Sequence, residues 1–280
     1  MGLFDGCLLI SDIDGTLLNS SEIPQRNVDA IERFVNGGGI FALATGRSAD
    51  GCRETLSKVK TNAPAIVVNG TVLYDFSKNQ VIKSVGLDDA TRDILYSVME
   101  NLSSEIGIEI HSRDFLVDIN VTREVELHNK YEKLHPREKT LKQMQNEEWS
   151  KVLFTFETEG NDKKFKEFLI SKGVNESQIV FTNAHLADGV HHYVEIMPLG
   201  IHKGNGVKWL CELFSVEKEK IYCIGDYYND IPLLKAAGVS AVTSTAPQEL
   251  LNLADYVSCD VKDGAVAQFI EYIEERMLAK

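Results

Sequence analysis

The stretch of sequence that decides the fold reads Cys7-Leu8-Leu9-Ile10-Ser11-Asp12-Ile13-Asp14-Gly15-Thr16-Leu17-Leu18. Its first four residues form a short apolar run that is followed at once by a turn signal, a pattern that predicts a buried strand. Asp12 and Asp14 come where that strand ends. Side chains two residues apart on extended backbone point to the same side, so we expect both carboxylates to face one spot.

Two carboxylates at one spot repel each other unless a cation lies between them or one of them carries a proton. Mg²⁺ suits such a pair, because it binds one or two carboxylates together with water and phosphate oxygens. A calcium loop of the Asp-x-Asp-x-Asp-Gly type is excluded, since Gly15 comes too early and Ile13 is apolar. A solvated strand end stays open for the pair taken alone, so its assignment depends on the rest of the chain.

Composition excludes several classes of protein. The 280 residues are 44% hydrophobic and 25% charged, as in globular proteins, and their net charge is −13. That charge argues against nucleic acid or an anionic membrane as a partner. The five cysteines are scattered and include no Cys-x-x-Cys pair, so we expect reduced thiols in a cytoplasmic protein. We see no signal peptide, and no apolar run approaches the roughly 20 residues of a membrane span.

Three further apolar runs end in polar turns. They are Ile40–Ala44 before Thr45-Gly46-Arg47, Ala65–Val68 before Asn69-Gly70, and Ile221–Ile224 before Gly225-Asp226. A segment with helical spacing, which contains Val28, Ile31 and Phe34, lies between the first two predicted strands. Strands that alternate with helices indicate a parallel α/β sheet of the Rossmann-like kind, which binds ligands at the carboxyl ends of its strands.

The middle of the chain has a different pattern. Helical stretches alternate there with isolated strands, and Phe115, Val117 and Ile119 alternate with polar residues as in a sheet with one wet face. Residues 15–44 number only 30, whereas the 157 residues 46–202 are far more than a few core elements need. We therefore predict an α+β domain at residues 84–187, inserted into a discontinuous core that consists of residues 1–83 and 188–280.

The strand-end residues together suit a phosphate held by a metal ion. Asp12, Asp14 and Asp226 supply carboxylates, Thr45 supplies a hydroxyl group, and Lys203 supplies an ammonium group at the start of a predicted helix, Lys203–Phe214. A cation would offset the carboxylate repulsion, while the hydroxyl and the ammonium bind phosphoryl oxygens. A carboxylate such as Asp12 is a known nucleophile for phosphorus, and a second one can act as general acid and base.

These motifs resemble those of the haloacid dehalogenase-like phosphohydrolases, and specifically of the Cof-like subfamily with a large α+β cap. The resemblance covers essentially the whole chain and rests on four motifs: Asp12-Ile13-Asp14-Gly15-Thr16, Thr45-Gly46-Arg47, Lys203-Gly204, and Gly225-Asp226 through Asn229-Asp230. It implies a Mg²⁺-dependent phosphatase that acts on a small phosphorylated metabolite, such as a sugar phosphate, through an aspartyl-phosphate. The inserted segment is then the cap.

The resemblance also implies a role for each matching residue. Catalysis falls to Asp12 as nucleophile and Asp14 as general acid and base. Phosphate binding falls to Thr45, Gly46 and Lys203, and Mg²⁺ binding to Asp12, Asp226 and the backbone carbonyl of Asp14. Asn229 and Asp230 would support the metal site, and Arg47 and Asn69 are candidate substrate contacts. Arg47 fits a helix cap or an ion pair equally well, and Asn69-Gly70 is first of all a turn signal.

Two departures from the subfamily pattern bear on the substrate. Tyr227-Tyr228 replaces a pair that is commonly small or polar, and Thr245 stands where Asn is expected. A phosphosugar mutase on the same core is the alternative enzyme, and a non-catalytic phosphate-binding regulatory protein is the alternative outside catalysis. The sequence names neither the substrate nor the oligomeric state.

Overall fold

The computed structural model describes residues 2–20, 22–157, 160–186 and 189–279. These residues form two compact units. The first consists of Met1–Gly46, Cys52–Lys83 and His202–Lys280, and the second of Arg47–Gly51 and Ser84–Ile201.

The elements are numbered in chain order. The strands are β1 Leu8–Ser11, β2 Ile40–Leu43, β3 Ala65–Val67, β4 Val72–Asp75, β5 Gln80–Ser84, β6 Gly107–His111, β7 Leu116–Asn120, β8 Lys151–Phe156, β9 Ile179–Leu186, β10 Gly189–Ile196, β11 Ile221–Gly225, β12 Val239–Val242 and β13 Tyr256–Val257. The α-helices are α1 Gln25–Asn36, α2 Ala49–Lys58, α3 Asp89–Met99, α4 Arg123–Glu132, α5 Leu141–Met144, α6 Asn161–Ser171, α7 Lys203–Phe214, α8 Ile231–Ala236, α9 Gln248–Leu253 and α10 Ala265–Leu278.

The first unit is built on a parallel sheet with the strand order β13-β12-β11-β1-β2. All four residues of β1 are buried, as expected for a central strand that is covered on both faces. β1 and β11 pair with Ser11 opposite Ile224. The chain therefore leaves both strands at the same edge of the sheet, and Asp12 and Asp226 follow there.

Side chains of the sheet and of α7 make an apolar core in this unit. Ile10 and Cys223 from the sheet pack with Val207 and Leu210 of α7, and all four are at most 1% exposed. Burying one such aliphatic side chain contributes roughly 1.5–3 kcal/mol. α7 begins at Lys203 and ends at Phe214, as the sequence predicted.

The third predicted strand differs from the expectation. β3 pairs antiparallel with β4 in a separate three-stranded sheet, β3-β4-β5. A single parallel bridge between Ala44 and Ile66 joins it to the end of β2. Val68, Asn69 and Gly70 then take positive φ angles of 50°, 53° and 96°, which reverse the chain into β4.

The second unit contains an antiparallel sheet with the order β7-β6-β8-β10-β9. On one face Ile110 and Phe154 pack against Leu95 of α3 and against Phe165 and Leu169 of α6. Alternate residues point to the other face, where Glu109, His111 and Lys151 are buried among polar neighbours. One unit with a parallel α/β sheet and a second α+β unit confirm the predicted fold class.

The second predicted domain boundary lies inside the chain segment that belongs to the second compact unit. The sequence placed it between residues 187 and 188, whereas the second unit runs to Ile201. The difference is β10, which pairs with both β8 and β9. Residues 47–51 also group with this unit. Among the helices of the described ranges, none has the length and apolar composition needed to cross a membrane.

Candidate active site

Asp12 lies directly after β1 and is 5% exposed. Its backbone N–H donates to the carbonyl oxygen of Ile224 at 3.0 Å, which continues the pairing between β1 and β11 by one residue. The carboxylate is therefore fixed at the carboxyl edge of the parallel sheet.

Lys203, the first residue of α7, is the cation of the site. Its Nζ donates to Asp12 Oδ1 and to Asp230 Oδ1, each at 2.6 Å, and the side chain is 1% exposed. Burial alone would lower the pKa of Lys203, but the two carboxylates raise it above the usual value. Lys203 therefore carries its charge and holds two aspartates that are far apart in sequence.

Asp230 organises the turn that follows β11. Its Oδ2 accepts hydrogen bonds from the backbone N–H groups of Asp226 at 3.0 Å and Tyr227 at 3.3 Å. Asp230 is fully buried, and a Cβ at Gly225 would lie 2.6 Å from its carboxylate. Glycine at 225 thus leaves room for this packing, while Asn229 is exposed on the same turn.

Asp226 is positioned by the loop after β1. Thr16 Oγ1 donates to Asp226 Oδ1 at 2.9 Å. Gly15 has a φ of +81°, and a Cβ there would lie 2.3 Å from Asp226 Oδ2. Burial, together with the charge of Asp230, raises the pKa of Asp226 to about 7. Thr16 has no role predicted from the sequence, and the one signal for it is its place in the motif that contains Asp12 and Asp14.

Asp14 is exposed, in contrast to Asp12. The loop that carries it is closed by two backbone hydrogen bonds, from Leu18 N to Ile13 O at 2.7 Å and from Gly15 N to Leu18 O at 3.1 Å. The buried side chain of Ile13 anchors the loop between the two aspartates. Asp14 thus combines a fixed backbone with a carboxylate that solvent can reach.

Three carboxylates have the arrangement of a cation site. One oxygen each from Asp12, Asp226 and Asp230 lie within 4.8 Å of one another. Burial raises the pKa of Asp12 well above its usual range; Lys203 opposes this rise, and the neighbouring aspartates add to it. One ammonium cannot balance three carboxylates, and hard oxygen ligands with an excess of negative charge fit Mg²⁺. The donor set is therefore compatible with the predicted ion.

Thr45 and its neighbours occupy the end of β2, the strand beside β1. The N–H of Ala44 donates to the carbonyl of Ser11 at 2.9 Å, so the chain reaches Thr45 next to the point where β1 ends. Thr45 is 1% exposed. Its carbonyl accepts from the N–H of Asn69 at 2.9 Å, and a Cβ at Gly46 would lie 3.1 Å from Asn69 Oδ1.

Arg47 groups with the second unit, and its Nη1 donates to the carbonyl of Gly51 at 3.3 Å. The helix cap and the ion pair both stay predictions for Arg47. Of the predicted site residues, the structure brings Asp12, Lys203, Asp226 and Asp230 into one cluster.

The comparison with known families agrees with this geometry. The model of the haloacid dehalogenase-like hydrolases matches residues 9–270. The chain therefore belongs to this family of hydrolases, as its motifs predicted.

Two relatives from Bacillus subtilis match over nearly their full length. The 5-amino-6-(5-phospho-D-ribitylamino)uracil phosphatase YwtE is 25% identical over 290 residues, which cover 95% of this chain and 97% of the relative. The phosphatase YcsE, of the same stated activity, is 25% identical over 267 residues, covering 95% and 94%. A solved haloacid dehalogenase-like hydrolase from Bacteroides thetaiotaomicron has the same fold, with a TM-score of 0.79 at 24% identity over 95% of this chain and 99% of its own.

Proposed function

We propose that this protein is a Mg²⁺-dependent phosphatase that hydrolyses a small phosphorylated metabolite through an aspartyl-phosphate on Asp12. The observation that carries the proposal is the cluster in which Lys203 holds Asp12 and Asp230 at 2.6 Å beside Asp226. The phosphatase names of the two Bacillus subtilis relatives support the same reaction.

Asp12 is the proposed nucleophile. Lys203 holds its Oδ1 in place, so the carboxylate has one orientation from which to attack phosphorus. A bond from the Asp12 carboxylate to phosphorus forms as the bond from phosphorus to the leaving oxygen breaks. Water then attacks the same phosphorus, which releases phosphate and regenerates Asp12.

Asp14 is the proposed general acid and base. It protonates the leaving alkoxide in the first step and takes a proton from the attacking water in the second. Its exposure suits this role, because both the leaving group and the water reach the site from solvent.

The remaining residues of the site are proposed to bind the metal ion, the phosphoryl group and the substrate. Mg²⁺ would be held by Asp12, Asp226 and the backbone carbonyl of Asp14, and would supply positive charge against the phosphoryl oxygens. Thr45, Gly46 and Lys203 bind the phosphoryl group, and Asn229 and Asp230 support the carboxylates. Arg47 and Asn69 stay candidate contacts to the substrate.

The names of the relatives support a proposal for the substrate class. Both named phosphatases act on a phosphorylated ribityl compound, so we propose a phosphorylated sugar or sugar-alcohol derivative for this chain. The inserted second unit, residues 84–201, is the proposed cap. A cytoplasmic location stays a prediction that rests on the five free cysteines.

Phosphate release from a panel of phosphorylated metabolites, with Mg²⁺ or with a chelator, tests the proposal. Asp12→Asn keeps the shape of the side chain and should lower turnover on the order of 10⁴-fold. Asp29→Asn, at an exposed position on α1, is the control and should keep full activity. Phosphate release by Asp12→Asn at the wild-type rate would contradict the mechanism, and an isomerised product without phosphate release would favour a mutase.

A further inference from the structure

Tyr227 and Tyr228 form an exposed aromatic corner beside the carboxylate cluster. The two side chains are 55% and 47% exposed. Their ring centroids lie 5.0 Å apart at an interplanar angle of 74°. Of the aromatic ring pairs within the described residues, this is the one in which both members are exposed.

The backbone under this corner is fixed by the site itself. The N–H of Tyr227 donates to Asp230 Oδ2, and the N–H of Asp230 donates back to the carbonyl of Tyr227 at 2.9 Å. The other oxygen of Asp230 binds Lys203. The backbone at Tyr227 is therefore fixed by the same carboxylate that organises the cluster, which lowers the entropic cost of binding a ligand there.

An edge-to-face pair presents a ring face and a ring edge at right angles. A planar conjugated ring can stack on the face of one tyrosine while its own edge meets the face of the other. Exposed aromatic surface of this kind is costly in water, and stacking of a ring on it is worth about 1–3 kcal/mol per ring. An open-chain sugar phosphate has no planar ring to stack on such a surface.

We propose that Tyr227 and Tyr228 form a subsite for a planar heterocyclic ring in the leaving group of the phosphate ester. This inference rests on the proposed function and narrows the substrate to ring-bearing phosphate esters. The uracil ring in the substrate named for the two relatives is consistent with this class. The tyrosines act as specificity residues and take no part in the transfer of the phosphoryl group.

Matched pairs of substrates isolate the ring. Riboflavin 5′-phosphate differs from ribitol 5-phosphate by its ring system, and uridine 5′-monophosphate differs from ribose 5-phosphate by its base. The wild type should favour the ring-bearing member of at least one pair by about 5- to 100-fold in kcat/KM, which is the stacking energy expressed as a ratio. Equal values within both pairs would overturn the inference while leaving the phosphatase proposal intact.

Substitutions at Tyr227 and Tyr228 test whether these two residues cause the preference for a heterocycle. Tyr228→Ala and Tyr227→Ala should each remove most of the ring preference through a higher KM, while Tyr→Phe at either position should keep it because the ring remains. The rates on ribitol 5-phosphate and ribose 5-phosphate should stay unchanged. A fall of equal size on the substrates with and without a heterocycle would contradict a heterocycle subsite and indicate a structural role.

A binding experiment separates this inference from the proposed function. Riboflavin and uridine lack phosphate, so their equilibrium binding, followed by flavin fluorescence and by calorimetry, needs no turnover. Binding that weakens in both alanine variants and persists in the phenylalanine variants supports the subsite even if no phosphate is released. Absence of binding for both compounds in the wild type and in every variant, together with equal kinetics, overturns it.

Discussion

Lys203 Nζ lies 2.6 Å from Asp12 Oδ1, although 191 residues separate the two in sequence. Asp12 directly follows β1 and Lys203 begins α7, so the contact joins the edge of the parallel sheet to the start of a helix. Two glycines make this approach possible, because a Cβ at Gly204 would lie 2.5 Å from the carbonyl of Pro232 and one at Gly206 would lie 2.5 Å from Ile66.

Replacing Lys203 by Met should destabilise the protein as well as inactivate it. Asp12 and Asp230 would lose their shared cation in a buried site, and removing one partner of a buried ion pair costs about 3–5 kcal/mol. Urea unfolding in Mg²⁺-free buffer measures the loss. Lys208→Met, at an exposed position on α7, should change the free energy of unfolding by less than about 0.5 kcal/mol. Equal losses in the two variants would contradict the proposed role of the buried cation.

Alanine at Gly15 should weaken Mg²⁺ binding more than it weakens the fold. The positive φ of +81° costs any L side chain about 1–2 kcal/mol. The added Cβ would also meet Asp226 Oδ2 at 2.3 Å and displace a proposed metal ligand. Gly200→Ala is the control: Gly200 has a φ of +71°, and a Cβ added there would have no atom within 4 Å. That variant therefore measures the cost of the backbone conformation alone. Mg²⁺ titration of activity should separate the variants; similar Mg²⁺ dependence in both would rule out the steric explanation.

Valine at Thr16 should lower Mg²⁺ affinity about 10- to 100-fold, as loss of a hydrogen bond to a metal ligand typically does. The hydroxyl that donates to Asp226 Oδ1 at 2.9 Å would be gone, while the size of the side chain is kept. Thr91→Val is the matched control, because Thr91 also donates to an aspartate, Asp88 Oδ2 at 2.8 Å, in the second unit. Calorimetric Mg²⁺ titration should show a change only for Thr16→Val, and a change of equal size in the control would argue against the assignment.

Glutamine at Glu109 should destabilise the second unit by about 3 kcal/mol at pH 7, since it removes one partner of a buried ion pair. Glu109 Oε1 lies 2.7 Å from His128 Nδ1, and its Oε2 lies 3.1 Å from His111 Nε2. Thermal unfolding followed by far-UV circular dichroism measures the loss. Glu126→Gln, exposed on α4, is the control and should be nearly neutral.

The pH dependence of that loss has a definite sign. Although burial would raise the pKa of Glu109, the two histidines lower it to about 2, below the ordinary value of 4.5. The unfolded chain therefore binds the proton more readily, so the contribution of Glu109 is complete above about pH 4.5 and is lost as the pH falls towards 2. A difference between wild type and Glu109→Gln that persists unchanged at pH 2 would contradict this linkage.

Asparagine at Asp118 should stabilise the protein above pH 6. Burial, together with the charge of Glu109, raises the pKa of Asp118 to about 6, compared with 3.8 in the unfolded chain. The native state thus holds the proton more tightly, and stability is lost as the pH rises from about 4 through 6. Because Asp118 is only partly buried, we expect a gain on the order of 1 kcal/mol at pH 8 and none at pH 4. Urea unfolding at both pH values measures the gain, with Asp114→Asn at an exposed position as the control. A loss of stability in Asp118→Asn at pH 8 would contradict the prediction.

Local sequence patterns predicted most of the strands and helices, because a buried strand or helix face requires apolar residues at regular, closely spaced positions. The apolar run before Asp12 became β1, one residue later than expected, and Lys203–Phe214 became α7 with the predicted bounds. The inserted domain was predicted to end at residue 187, and the second compact unit runs to Ile201. The apolar residues of β10 fit a strand in either sheet, and only the pairing with β8 and β9 assigns them to the second.

By itself the sequence determined the four motifs, their order and the position of each at a strand end or a helix start, because these follow from local periodicity and turn chemistry. The tertiary structure alone decided that Lys203 bridges Asp12 and Asp230, and that Thr16 holds Asp226. Those contacts join residues that are 27 to 210 positions apart. They depend on β1 and β11 being neighbours in the sheet, and strand order is a property of the packed chain rather than of any segment.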